Sequence, residues 1–190
     1  METNEIVVVG TSWGGIEALE VLLRGLPATF QPPVLVVHHL GGSATELGAL
    51  LQRHSTLPVR VPNDKERILP GSVFLAPAGY HLLVEPGSLA LSTDGPVQHA
   101  RPSIDVLFES AADAYAAGVI GVVLTGASQD GARGAAAIKR RGGRIVVQDP
   151  ADATSPTLPR AAIAAARPDR VLPLAAIAPA LVDLQRHAAR

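Results

Sequence analysis

No cysteine occurs among the 190 residues. That single absence removes a disulfide framework, a thiolate nucleophile and a cysteine-ligated zinc site. Aromatic residues amount to 3% of the chain, too few for base-stacking platforms. Neither sign of charge dominates: 16 Lys and Arg stand against 17 Asp and Glu. The basic residues are scattered, so the electrostatic footprint of a nucleic-acid binder is missing. The apolar run of the N-terminal METNEIVVVG is far too short to span a bilayer and has no basic region before it. There is no internal repeat, long linker or low-complexity tail. These exclusions lead to one soluble domain over residues 1–190. It is expected in the cytoplasm, without membrane insertion and without a nucleic-acid partner.

Short β-branched runs alternate with stretches rich in alanine and leucine. Ile6–Val9 reads as a strand, and Gly15–Leu23 as a helix with Ile16, Leu19 and Leu23 at helical spacing. Pro33–Val37, Leu57–Val61, Val119–Leu124, Arg144–Gln148 and Arg170–Leu172 read as further strands. Helices are expected over Thr45–Arg53, after Pro102 through Ala116, after Asp130, and over Leu158–Ala166 and Ala175–Ala188. Between Gly71 and Thr93 the pattern changes. VFLAP, HLLVE and SLALS are separated by Ala78–Gly79 and Pro86–Gly87, which predicts a small antiparallel insert. The alternation predicts an α/β fold: a doubly wound, mostly parallel sheet covered by helices on both faces, with a β-hairpin insertion.

In such sheets chemistry gathers at the carboxyl ends of the strands. Three loops there carry a hydroxyl, imidazoles and a carboxylate. Ser12 lies in Gly10-Thr11-Ser12-Trp13-Gly14, His38 and His39 follow the second strand, and Asp130 lies in Thr125 to Gly131. These are the groups of a nucleophile, its base and the base's orienting partner. Gly10-x-Ser12-x-Gly14 matches a nucleophile elbow, in which small flanking residues let a tight turn expose the hydroxyl. A serine here equally suits a helix cap or a phosphate-binding turn. The dinucleotide fingerprint fits less well, because the glycines run G-x-x-x-G-G and no acid ends the second strand. Side chains of adjacent strand residues point to opposite faces, so one histidine at most aims at Ser12. Periodicity does not choose between them. A paired-histidine metal site lacks further ligands at helpful spacing, and no metal is expected. Asp130 has an ordinary alternative as the cap of the helix that follows. The order Ser, His, Asp differs from the Ser, acid, His order of α/β-hydrolases.

Five segments, VVVGTSWGGIEAL, VLVVHHL, ERILPGSVFLAPAGYHLLV, RPSIDVLFESAA and GVVLTGASQDGARG, resemble in order segments of the catalytic domain of the CheB family, the chemotaxis protein-glutamate methylesterases. The resemblance covers residues 4 to 187. It implies a doubly wound α/β fold with a hairpin insertion. It also implies hydrolysis of glutamate methyl esters on the cytoplasmic part of chemoreceptors, with glutamine deamidation in many members and no cofactor. The family's G-A-S-T-G-G falls on Gly10 to Gly15 and marks Ser12 as nucleophile. Its Q-H-M falls on His38-His39-Leu40, which picks His39 and makes His38 the substitute for a glutamine. Its T-G-x-G-x-D-G falls on Thr125 to Gly131 and picks Asp130, with the Gly126–Ala127 turn near the oxyanion.

The chain departs from the family pattern at Trp13, at Ala127, at Ser128-Gln129, and at Ala100, where a histidine is common. These changes leave the triad intact and bear on substrate, for which Trp13 and Ala127 are the candidate contacts. Rival expectations are an esterase or amidase for a non-receptor substrate, a non-catalytic docking module, and nucleotide binding at the Gly10 loop. The usual family member carries an N-terminal receiver domain. Here the match starts near Met1, so the chain is expected to be constitutive, to be governed by a separate regulator, or to be a piece of a longer protein. His54, His81, His99 and His187 read as surface or packing residues. Arg101 is expected to hold an acidic substrate loop or to form a buried ion pair.

Overall fold

The structure, a computed structural model, describes residues 5–39 and 43–188, with the side chains of 186–188 left out. Strand β1 (Ile6–Thr11) is buried along its whole length, as is β2 (Val34–His38). Between them runs α1 (Gly15–Arg24). Helix α2 (Ala44–Gln52) leads to the short β3 (Val59–Arg60) and to β4 (Val73–Leu75). The hairpin β5 (His81–Glu85) and β6 (Ser88–Ser92) precedes α3 (Ile104–Tyr115). Then come β7 (Val119–Val123), α4 (Ala132–Arg140), β8 (Arg144–Gln148), α5 (Thr157–Ala166), β9 (Arg170–Leu172) and α6 (Leu174–Ala188).

Seven strands form one sheet in the order β3-β4-β2-β1-β7-β8-β9, and every pairing in it is parallel. The expected doubly wound architecture is present. One assignment changes. VFLAP was expected in the antiparallel insert, yet Val73–Leu75 is a parallel strand of the main sheet beside β2. Only HLLVE and SLALS form the separate hairpin. Both arrangements bury an apolar run; what decides is that Val73, Phe74 and Leu75 have both faces covered, as a central parallel strand requires.

The two faces have separate cores. Val8, Val37, Val123 and Val147 pack with Ile104 and Phe108 of α3, Ile138 of α4 and Leu158 of α5. Val9, Val36, Val122 and Val146 face α1, Leu51 of α2 and Ile177 of α6. Each such apolar side chain contributes about 1.5–3 kcal/mol on burial. The chain leaves β1 through α1 on one face and β7 through α4 on the other. The carboxyl ends of these adjacent strands therefore flank the point where the winding reverses, the place where α/β sheets open a crevice.

Candidate active site

Ser12 follows β1 directly. Its N–H donates to the Thr125 carbonyl at 3.0 Å, and its carbonyl accepts from Gly15 N–H at 2.8 Å. Thr125 ties the two loops together. Its carbonyl also accepts from Thr11 Oγ1 at 2.8 Å, and its own hydroxyl donates to the Trp13 carbonyl at 2.9 Å. The turn after Ser12 depends on Gly14, which has φ +77 and caps α1 with no side-chain hydrogen bond. The helix-cap alternative for Ser12 is thereby removed. Ser12 is 9% exposed, and its hydroxyl makes no hydrogen bond to any described residue.

Strand register separates the two histidines. Thr11 pairs with His38, and His39 N–H donates to the Thr11 carbonyl at 3.1 Å. Residues 7, 9 and 11 of β1 share a face with 34, 36 and 38 of β2, the face covered by α1. Ser12 and His39 follow on the alternate face, with Asp130. His39 Nε2 lies 2.7 Å from Asp130 Oδ2. His38 instead lines a cavity of about 250 Å³ with Ile16, Leu47, Leu50 and Leu75, on the other face. Burial, then the neighbouring His39, lowers its pKa from 6.5 to about 4, against weaker opposing effects of the Ser12 backbone and Glu17. His38 is therefore a neutral imidazole at pH 7.

Asp130 has no exposed surface. It does not cap its own helix: the N-cap of α4 is Gly131, φ +113, with no side-chain hydrogen bond. Its carboxylate turns to the start of α3. Ser103 Oγ donates to Oδ1 at 2.8 Å, Ile104 N–H to Oδ2 at 2.7 Å and Asp105 N–H to Oδ1 at 3.0 Å. Burial pushes its pKa up, but the His39 contact and these three donors together push harder, and the balance lies below the usual carboxylate value. A helix N-terminus aimed at an anion supplies the same effect through its aligned dipoles.

Trp13 is 63% exposed, and Ala127 is exposed as well. Among the described residues neither backbone N–H has an acceptor, whereas those of Ser12, Gly15 and Gly126 do. Arg101 does not form the expected buried ion pair; exposed, it donates to the Thr93 and Asp94 carbonyls at 2.9 and 3.0 Å. His81 is buried, with Nε2 at 3.0 Å from the Gly95 carbonyl and Nδ1 accepting from Ser103 N–H at 3.2 Å. His54 is partly buried and accepts from Arg24 on the α1 side; His99 is exposed. Leu40 and the His187 side chain lie outside the described residues. No group of three or more metal-ligating side chains occurs among the described residues, and no helix among them is long and apolar enough to cross a membrane. The sequence alone did not single out Ser103 or Asp105. The signal was present in Pro102-Ser103-Ile104-Asp105, a helix start with two capping side chains.

The comparisons with known proteins agree with one another. The model of the CheB methylesterase family matches residues 7–181. A putative protein-glutamate methylesterase/protein-glutamine glutaminase of Leptospira interrogans is 42% identical over 185 residues, 96% of each chain. A protein-glutamate methylesterase/protein-glutamine glutaminase of Bordetella pertussis is 42% identical over 181 residues, and there the match spans about half of the relative (51%). The crystal structure of the Thermotoga maritima CheB methylesterase catalytic domain superposes with a TM-score of 0.90 at 32% identity, covering 95% of this chain and 98% of that one.

Proposed function

The chain belongs to the CheB methylesterase family, and from that premise we propose that it hydrolyses glutamate methyl esters on methyl-accepting chemoreceptors through Ser12, His39 and Asp130. Glutamine deamidation by the same centre is part of the reading. The observation that carries it is the His39 Nε2 to Asp130 Oδ2 contact of 2.7 Å, on the face and at the strand end where Ser12 stands.

With Nε2 turned to Asp130 Oδ2, Nδ1 is the nitrogen left to act as base. The Ser12 hydroxyl passes its proton to Nδ1 as Oγ attacks the ester carbonyl carbon. Asp130 fixes the tautomer and stabilises the imidazolium that forms. The unpartnered N–H groups of Trp13 and Ala127 receive the oxyanion, each such donor being worth about 3–4 kcal/mol. The intermediate collapses, and methoxide leaves as methanol with the proton from His39. Water, deprotonated by His39, then attacks the acyl carbon and releases the glutamate carboxylate and Ser12. For a glutamine side chain, ammonia leaves in place of methanol. Trp13 lies beside the nucleophile and contacts the substrate segment.

Methanol release from a methylated chemoreceptor fragment tests this reading. The wild-type protein hydrolyses the ester and Ser12→Ala does not, while its thermal unfolding stays near that of the wild type. Wild-type rates in Ser12→Ala would remove the serine from its role.

A further inference from the structure

A helix leaves its first N–H groups without intrahelical partners. At α3 and α4 several of these groups are satisfied crosswise. Asp130, the residue before the Gly131 cap of α4, accepts from Ile104 and Asp105 at the start of α3. Asp105, in the first turn of α3, accepts with Oδ1 from Gly131 N–H at 2.9 Å and Gly134 N–H at 2.7 Å at the start of α4. Each carboxylate caps the other's helix. Both are fully buried. Gly134 permits the approach, since a Cβ there would stand 2.5 Å from Phe108 Cβ and 3.1 Å from the Asp105 backbone.

The second oxygen of Asp105 is also held, accepting from Gln98 Nε2 at 2.7 Å. Gln98 comes from a tight turn in which it and His99 both have positive φ, +48 and +65, closed by paired hydrogen bonds between Val97 and Ala100. Neither residue is a glycine, so the turn is strained, and strain of this kind persists only where the surroundings over-determine it. Arg133 Nε stands farther off, 3.7 Å from Asp105 Oδ2, and is committed to Glu109 at 2.7 Å. Asp105 has no hydrogen bond to Ser12 or His39. It reaches the site through Asp130.

We propose that Asp105 is a positioning residue for the esterase reaction: the exchanged caps clamp the loop between β7 and α4, so that Asp130 stays against His39 Nε2. This rests on the Ser12, His39 and Asp130 reading above. A loop free to shift by even 1 Å would misalign the imidazole, and misplacement on that scale costs a reacting centre around 10²-fold.

The test measures methanol release from a methylated receptor fragment by the full chain. Wild type is compared with Asp105→Ala, Asp105→Asn, Gln98→Ala, Ser12→Ala and Ile177→Ala. The last lies in the core on the opposite face and serves as a control for lost stability. Asp105→Ala is expected to lower kcat at least tenfold with KM within twofold. Asp105→Asn keeps an amide oxygen for Gly131 and Gly134 and is expected to recover most of that loss. Ile177→Ala keeps kcat per folded molecule. A kcat for Asp105→Ala within twofold of wild type, or a loss no larger than its unfolded fraction explains, would overturn the proposal. If Asp105→Ala does not fold, Gln98→Ala decides: a kcat several-fold lower supports the clamp, and an unchanged kcat overturns it. If wild type fails to hydrolyse the ester, or Ser12→Ala still does so, the parent reading falls and this one with it. An inactive Ser12→Ala beside a fully active Asp105→Ala removes the clamp alone.

Discussion

A carboxylate without exposed surface keeps its charge only where donors replace water. At Asp130 two backbone N–H groups and one hydroxyl do so, with the His39 imidazole 2.7 Å away. Asparagine there would present an amide N–H toward His39 Nε2 and favour the tautomer whose Nδ1 carries the proton. Asp130→Asn is therefore expected to lower kcat by ~10⁴, as the wrong tautomer does in the serine-protease template, in the methanol-release assay. His38 belongs to the opposite face, so His38→Gln is expected to leave kcat within about threefold on the same assay. That substitution does change stability with pH. The folded His38 pKa of about 4 lies below its ordinary 6.5, so between those values the unfolded chain takes up a proton that the folded one refuses. Stability attributable to His38 is complete above about pH 6.5 and is lost as pH falls toward 4, by an amount on the order of 3 kcal/mol. Denaturant midpoints measured from pH 7 to 4 are expected to fall more steeply in wild type than in His38→Gln. Equal slopes would contradict the assignment. Periodicity offered both histidines and no rule between them, and only the family resemblance picked His39. The rule lay in the pairing of Thr11 with His38, a long-range register that no local pattern encodes.

Elements account for the errors as well as the successes. Strands β1, β2, β7 and β8 were legible because a short apolar run dominated by Val and Ile has few other outcomes. β4 was assigned to the hairpin because VFLAP, HLLVE and SLALS have similar apolarity and spacing; only the neighbour each finds distinguishes them. Asp130 was legible as a candidate acid, yet its ordinary alternative pointed to the wrong helix, since the cap it supplies is that of α3. The close crossing of α3 on α4 gives a prediction at this scale. Gly134→Ala places a methyl group 2.5 Å from Phe108 Cβ, and overpacking of this kind costs about 1–3 kcal/mol. Thermal or denaturant unfolding is expected to show that loss, together with a lower kcat because the exchanged caps are pushed apart. Unchanged stability would mean that the helices separate without cost.

At the scale of the molecule, the sheet brings together loops that are more than 110 residues apart in the chain, with Ser12 N–H bonded to the Thr125 carbonyl. Parallel winding makes this possible, because β1 and β7 are neighbours whose following helices depart to opposite faces. The exposed Trp13 directly follows Ser12. Trp13→Ala is expected to raise KM for a methylated receptor fragment more than it lowers kcat, as measured by initial rates across substrate concentration. Ser12 as the nucleophile, activated by His39 and Asp130, is the proposal on which the rest depends. Peptide mass spectrometry after treatment with a serine-directed phosphonate tests this directly. One adduct is expected, on Ser12, formed rapidly in the wild-type protein and far more slowly in His39→Ala and Asp130→Asn. Labelling of a different residue, or equal labelling of Ser12 in all three proteins, would contradict it.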